Sequence, residues 1–429
     1  MQASGALLRE LDRRGLVAQA TPGLDDHLQV PRSLYCGFDP TADSLHIGSL
    51  VPLLALRRFQ LAGHRPIALI GGATGLVGDP SFKAEERQLN AAETVRCWGA
   101  AIRAQIEGFL QADGPGRITV VDNLEWLRDA RLLDFLRDVG KHFSVSAMIR
   151  KDSVRQRIER EGEGISFAEF SYALLQAYDY AELNRRFDCT LQLGGSDQWG
   201  NITGGIELCR RQNRAQAHAL TLPLVTRSDG SKFGKTESGT VWLDARRTSP
   251  YAFFQFWINV ADADVYRFLR YFTFLPVEDI DRLEMHAGEP AGRPVAQRVL
   301  AEEVTRLVHG DAGCRSATRI ADALFGGQAE QLEADDFVQL AQDGLPCSTL
   351  GARERQLPLT TLLVEVGLAS SGKQVKDALG RAAVSVNGQT CGLVDNLSTT
   401  EVFAPMRAKH ARWFLTRLGK KAFHLFELA

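Results

Sequence analysis

What this chain of 429 residues has little of narrows its class first. It has almost no excess charge: 50 Lys and Arg stand against 52 Asp and Glu, a net −2. That balance gives no global attraction to nucleic acid, so any RNA contact has to come from local basic patches. No apolar run reaches about 18 residues, so no membrane-spanning helix is expected. The seven cysteines are odd in number and scattered, and none stands in a CxxC pair. Neither a zinc site nor a disulfide framework is expected from them. The first 19 residues are dotted with charge and lack the apolar core and cleavage site of a signal peptide, which makes the cytoplasm the expected compartment. No internal repeat or low-complexity tract is present. What remains, 45% hydrophobic and 24% charged residues, is the composition of a globular protein long enough for two or three domains.

Apolar periodicity predicts a helix over residues 3–20, then a strand at 33–38 ending at the Asp39-Pro40 turn. A helix over 46–61 follows, then a buried strand at 65–71, a helix at 91–110 and a strand at 117–122. A helical stretch passes through 132–136, a helix covers 167–184, a strand 189–194 and a helix 201–212. Strands separated by helices imply a doubly wound parallel sheet, an α/β Rossmann-like domain over 1–248. Such sheets bind ligands at the carboxyl ends of their strands. From 249 to 325 only helices are expected, at 250–259, 264–271, 277–283 and 294–307. Residues 326–354, rich in Gly, Gln and Asp, read as a linker with a helix at 335–342. A small α+β unit fills 355–429.

Several segments carry groups suited to chemistry. His46-Ile47-Gly48 falls at an expected helix start, where free N–H groups and the dipole favour phosphate and Gly48 admits a nucleotide ring close to the backbone. The tripeptide alone is equally a surface histidine beside a chance glycine. Lys232 and Lys235, flanked by Gly230 and Gly234, could deliver two point charges to a triphosphate, or sit on an ordinary exposed hairpin. GGATGLVGDP (71–80) follows a buried strand but ends in no Gly-Lys-Ser/Thr, so it is not a Walker loop, and it does not fit a dinucleotide fingerprint. Asp79 could receive an ammonium or simply precede Pro80, and Lys83 and Arg87 could meet phosphate or mark a solvated helix start. Tyr172, Gln176 and Asp179 are spaced four and three apart, so on a helix they share a face that is costly to bury without partners, or that is simply a half-exposed polar face. GGSDQWGN (194–201) sets small residues beside polar ones at a strand end. In the tail, Arg407, Lys409, Arg412, Arg417, Lys420 and Lys421 surround Trp413 and Phe414 with no acid among them, which suits RNA or a solvated basic terminus.

Four segments in order, YCGFDPTADSLHIG (35–48), SYALLQAYD (171–179), GGSDQWGN (194–201) and KFGKT (232–236), resemble those of the bacterial-type tyrosyl-tRNA synthetases, a class I family. The likeness covers nearly the whole chain. Ser49 departs from the family's HIGH signature, standing where a second His is usual; it can donate one hydrogen bond but carries no charge. The resemblance implies that L-tyrosine, ATP and tRNA(Tyr) are the partners, that Mg²⁺ accompanies the ATP phosphates, and that the protein is a homodimer. It implies Tyr35 and Asp179 on the tyrosine hydroxyl; Tyr172, Gln176 and Asp79 on its ammonium; Gln198 near its carboxyl. Cys36, Gly37, Asp39, Gly48, Ser49, Gly194 and Asp197 would line the ATP side, with Thr41, His46, Lys232, Lys235, Thr236, Lys83 and Arg87 about the phosphates. Residues 249–325 would be the anticodon-side helical domain and 355–429 an S4-like RNA-binding domain, with Lys373 and Lys376 added to the tail's basic residues. An apolar stretch at 132–143 could be an interface or a core helix.

Overall fold

The structure, a computed structural model, describes residues 5–79, 90–110, 114, 116–151, 154–155, 158–159, 164–230, 233–236, 239–286, 295–326 and 329–429. The chain forms two compact units, Met1–Leu243 with Ala261–Gly292, and Asp244–Val260 with Arg293–Ala429.

The first unit is built on a six-stranded sheet. After helix α1 (Gly5–Arg13) come β1 (Gln19–Ala20), β2 (Ser33–Phe38), α2 (Leu50–Leu61), β3 (Arg65–Ile70), α3 (Ala92–Phe109), β4 (Thr119–Asp122), α4 (Phe167–Phe187), β5 (Cys189–Gly195), α5 (Trp199–Leu208) and β6 (His218–Leu222). The strand order is β1-β6-β5-β2-β3-β4, parallel throughout except that β1 runs antiparallel on the edge beside β6. β3 is buried at five of its six residues and β6 at all five, as parallel strands covered on both faces must be. Strand order reverses between β2 and β5, so the crevice for a ligand opens where Phe38 and Gly195 leave the sheet.

Three differences from the sequence expectations are local. The first helix stops at Arg13 ahead of Gly15, whose φ of 73° suits glycine, and the chain then supplies β1. β6 was not expected: five apolar-rich residues carry too little periodicity to separate strand from loop. The helix expected from His46 starts at Leu50, preceded by a 3₁₀ turn, Ile47–Ser49, with His46 itself extended.

The β1–β6 edge is buttressed by His27 and His218, stacked with ring centroids 4.3 Å apart. Burial lowers both below the ordinary imidazole range, His27 to about 4. The folded values lie below the unfolded one. The stability these rings carry is therefore complete above about pH 6.5 and is lost as pH falls toward 4. Thermal melts at pH 7.5 and pH 5 should show a lower Tm in acid, and His27→Gln should shrink that difference; an unchanged difference would remove the pair from the account.

The chain leaves this unit for α6 (Pro250–Ile258), started by Ser249 Oγ accepting from the Ala252 N–H, and returns with α7 (Asp262–Phe272) and α8 (Val277–Met285). Residues 261–286 thus group with the α/β unit.

In the second unit α6 packs on a long helical run, α9 (Val295–Gly326), interrupted at Gly310. The stretch expected as a linker holds α10 (Ala334–Gln339) and strand β9 (Cys347–Leu350), which pairs in parallel with β13 (Ala422–Leu428). The sheet order is β11-β10-β12-β13-β9, with β10 (Val384–Val386), β11 (Gln389–Cys391) and β12 (Trp413–Leu418). Helices α11 (Leu359–Glu365) and α12 (Gly372–Gly380) share a core with Phe414 and Phe426; Trp413, Leu415 and Leu425 belong to another, with Tyr251, Ile320 and Phe337. The tail's aromatics are therefore core residues: Trp413 is 3% exposed and Phe414 fully buried, and neither offers a ring to RNA.

Candidate active site

A cavity of about 640 Å³ lies at the carboxyl ends of β2 and β5. Its size suits a small ligand joined to a nucleotide. At one end are Tyr35 from β2, Gln192 from β5, and Tyr172, Gln176 and Asp179 from α4. Asp79, Gly194, Asp197 and Gln198 line it from the loop after β3 and the end of β5. Cys36, Gly37, Asp39, Thr41, His46, Gly48 and Ser49 line the stretch from β2 to α2. Lys83, Arg87 and Lys232 lie outside the described residues, and of Lys235 and Thr236 only the backbone is described, as a short strand β7 (Lys235–Thr236) paired with β8 (Gly239–Thr240).

Two hydrogen-bond networks hold the polar groups. In the first, Tyr172 donates to Asp39 Oδ2 at 2.8 Å and Thr74 to Asp39 Oδ1 at 2.7 Å. Asn123 Nδ2 donates to Thr74 at 3.0 Å and to Asp179 Oδ2 at 3.0 Å, and Trp126 Nε1 donates to Asp179 Oδ1 at 2.8 Å. In the second, Gln198 Nε2 donates to Asp79 at 2.8 Å and Asp197 at 3.1 Å, while Asn201 Nδ2 donates to Gln176 at 3.1 Å. No local signal in the sequence assigns a role to Thr74, Asn123, Trp126 or Gln192.

Two buried groups in this cavity are left without partners among the described residues: the Tyr35 hydroxyl and Gln192 Oε1. Tyr35 is 1% exposed and Asp179 2%. Burial, and then the neighbouring Asp179, push the Tyr35 phenol up. Burial raises Asp179 to about 8 against the pull of its two N–H donors. Burial likewise pushes the Cys36 thiol up to about 12, so it is an inert thiol and no nucleophile. Burial also raises Asp197, opposed by Gln198.

The described lining contains four acidic side chains, Asp39, Asp79, Asp197 and the raised Asp179, and no Lys or Arg, so its field is negative. That field favours an ammonium group and would repel phosphate, so a triphosphate here needs cations from elsewhere. His46, on the stretch from β2 to α2, is the one described lining side chain that could carry positive charge. Its Nδ1 accepts the Gly48 N–H at 3.0 Å, which in a neutral ring leaves the proton on Nε2. The loop containing His46 is held by Gln105 of α3, which bonds Leu45 N and Ser44 Oγ at 2.8 and 3.0 Å.

The HIG and KFGKT segments touch. Gly234 packs so closely on Ile47 that a Cβ there would lie 2.4 Å from Ile47 Cγ2, and its φ is 79°. Val241 donates to the Gly234 carbonyl and accepts from Ile47 N–H, both at 3.0 Å. Among the tail's basic residues, Lys373, Lys376, Arg407, Arg412, Lys420 and Lys421 are exposed and Lys409 half-buried. Arg412 bonds Glu427 at 2.7 Å, an acid the fold brings beside a stretch that has none.

This cavity, sited at the reversal of a parallel sheet and joined to a HIG segment, is the plan of a class I tRNA synthetase, and residues 28–326 match the family of tRNA synthetases class I (W and Y). A tyrosine–tRNA ligase of Aliivibrio fischeri (strain MJ11) is 56% identical over 99% of both chains, and one of Chromobacterium violaceum 53% over 98% of this chain and 99% of its own. The chain belongs to the bacterial-type tyrosyl-tRNA synthetases. Among solved structures, a C-terminally truncated mitochondrial tyrosyl-tRNA synthetase of Aspergillus nidulans superposes with a TM-score of 0.66 at 30% identity, covering 76% of this chain and 95% of that one. A tryptophanyl-tRNA synthetase of Encephalitozoon cuniculi shares the fold, with a TM-score of 0.54 at 14% identity, over 79% of this chain and 94% of that one.

Proposed function

We propose that this chain is a tyrosine–tRNA ligase: it joins L-tyrosine to ATP as tyrosyl-adenylate with release of pyrophosphate, then passes the tyrosyl group to the 3′ end of tRNA(Tyr). The observation that carries the reading is the unpartnered, buried Tyr35 hydroxyl beside Asp179. A buried polar group without a partner is costly, and a ligand hydroxyl seated there satisfies it.

Tyr35 and Asp179 then hold the phenol. Asp79, Tyr172 and Gln176 take the ammonium that the carboxylate-rich lining favours, and Gln198 lies by the reacting carboxylate. Cys36, Gly37, Asp39, Gly48, Ser49, Gly194 and Asp197 flank the nucleotide, Asp197 at the ribose. Thr41 and His46 meet the phosphates. Mg²⁺ enters with ATP as part of the substrate, and Lys232, Lys235 and Thr236, with Lys83 and Arg87, supply the positive charge the described lining lacks. The tyrosine carboxylate is already ionised, so no general base is needed. One oxygen bonds the α-phosphorus as the bond to pyrophosphate breaks, and catalysis is alignment plus stabilisation of charge on the leaving group.

The protein works in the cytoplasm on tRNA that also meets the second unit, whose helical part serves the anticodon side and whose final sheet and helices act as an S4-like module. Exposed Lys373, Lys376, Arg407, Lys420 and Lys421 support that contact, with Lys409 and Arg412 contributing less charge. A homodimer is supported by the helix Leu132–Asp138. Its Phe135 packs on the core, but Leu132 and Leu133 are 70% and 78% exposed, which leaves an apolar face for a partner. A single-chain mass in sedimentation would exclude the dimer.

ATP–pyrophosphate exchange tests the reaction. It should be strong with tyrosine and at background with tryptophan or no amino acid. Exchange driven by tryptophan alone would reassign the substrate.

A further inference from the structure

The chain leading into the lysine loop is seated on α7 at two points. At the first, Asp264, 3% exposed, accepts through Oδ2 from the Ser228 backbone N–H at 2.9 Å and from its hydroxyl at 3.0 Å. Arg267 ties the same carboxylate to the carbonyl of Thr226, at 2.5 and 2.6 Å. At the second, the Phe233 ring stacks on Phe272, centroids 5.3 Å apart at 16°, and meets Phe268 edge-on at 5.1 Å. Positions 264, 268 and 272 are four apart and form one stripe along the helix. Helix α7 is itself fixed. Arg14 donates to the carbonyls of Arg270, Thr273 and Leu275, and Arg58 to that of Thr273 at 2.5 Å. Arg58 belongs to α2, the helix that follows His46-Ile47-Gly48. The contact of Gly234 with Ile47 closes the circuit.

We infer that Phe233 and Ser228, seated on the Asp264–Phe268–Phe272 stripe of α7, are positioning residues that set where the lysines flanking Phe233 meet the leaving pyrophosphate. The inference rests on the tyrosine-activating reading above. A lysine ammonium is a point charge on a flexible stem, so its place in the transition state depends on where its backbone is anchored. A displacement of about 1 Å is enough for roughly a 10²-fold loss of rate. The anchor acts on charge that develops during reaction, so it should change kcat and leave tyrosine binding alone.

The test is tyrosine-dependent pyrophosphate exchange, alongside tyrosine binding measured without ATP. Phe233→Ala should lower kcat about 10- to 100-fold with the tyrosine Kd within about twofold. Phe233→Leu, which keeps an apolar contact with the stripe, should recover most of that loss. Ser228→Ala removes one of the two hydrogen bonds that Ser228 gives Asp264 without disturbing any core, and should lower kcat by a smaller factor; it decides the matter if Phe233→Ala does not fold. Wild-type kcat in Phe233→Ala and Ser228→Ala, or tyrosine binding lost in parallel with kcat, would overturn the inference while leaving the functional reading intact. No tyrosine-dependent exchange in the wild-type protein would overturn both.

Discussion

Asp179→Ala should abolish most tyrosine activation while ATP binding persists. The substitution deletes the acceptor proposed for the phenol hydroxyl and also strands two buried donors, Asn123 Nδ2 and Trp126 Nε1, which now spend their hydrogen bonds on this carboxylate. Losing a charge-assisted hydrogen bond and leaving buried donors unpaired costs about 3–4 kcal/mol, roughly 10²- to 10³-fold in kcat/KM for tyrosine. The residues proposed for ATP lie along the β2–α2 segment and the end of β5, so the KM for ATP should change little. Pyrophosphate exchange titrated in each substrate separates the two, and an equal loss in both would mean that Asp179 holds the fold and not the phenol. The same pair bears on selectivity, because phenylalanine would leave Tyr35 and Asp179 unpaired, a rule of which tyrosyl-tRNA synthetases are themselves a standard illustration.

The protonation of Asp179 adds a pH signature. Burial raises the carboxyl to about 8 in the empty cavity, and a phenol hydroxyl donating to it favours the ionised form. The bound value is then lower than the free one, so tyrosine binding releases a proton below about pH 8. Affinity for tyrosine should rise from pH 6 toward pH 8, by at most about tenfold per pH unit, and level off above. Asp179→Asn has no such proton to release, and the difference between its profile and the wild-type profile isolates the effect. Parallel profiles would refute it.

What could be read ahead of the structure follows from how far apart the interacting residues are. Strands β2, β3, β4 and β5 announce themselves as short apolar runs stopped by Gly or Asp, and the spacing of Tyr172, Gln176 and Asp179 places them on one face of a helix by geometry alone. Their partners were not legible. Asn123 and Trp126 lie 56 and 53 residues from Asp179 and carry no local sign of the bond they make. The unmet Tyr35 hydroxyl is visible only once every neighbour is in place. Trp413 and Phe414 misled because adjacent residues of a strand point to opposite faces, and this strand is covered on both.

Gly234→Ala should be as damaging as any single change outside the tyrosine end, and for a reason neither signature segment reveals alone. Its φ of 79° lies where a Cβ is strained, and that Cβ would stand 2.4 Å from Ile47 Cγ2. Ile47 is fully buried between His46 and Gly48, so it cannot yield without moving the residues proposed to meet the nucleotide. Left-handed strain of about 1–2 kcal/mol plus overpacking of about 1–3 kcal/mol gives roughly 2–5 kcal/mol, or about 30- to 5,000-fold in rate if the loop is displaced to relieve it. The loss should fall on kcat for adenylate formation, with the tyrosine Kd within about twofold, since Tyr35 and Asp179 belong to β2 and α4. Ile47→Ala removes the clashing methyl but not the backbone strain, so the double variant should regain activity relative to Gly234→Ala despite carrying a second defect. Such a recovery is the mark of direct contact between the two segments, because substitutions that act independently would compound.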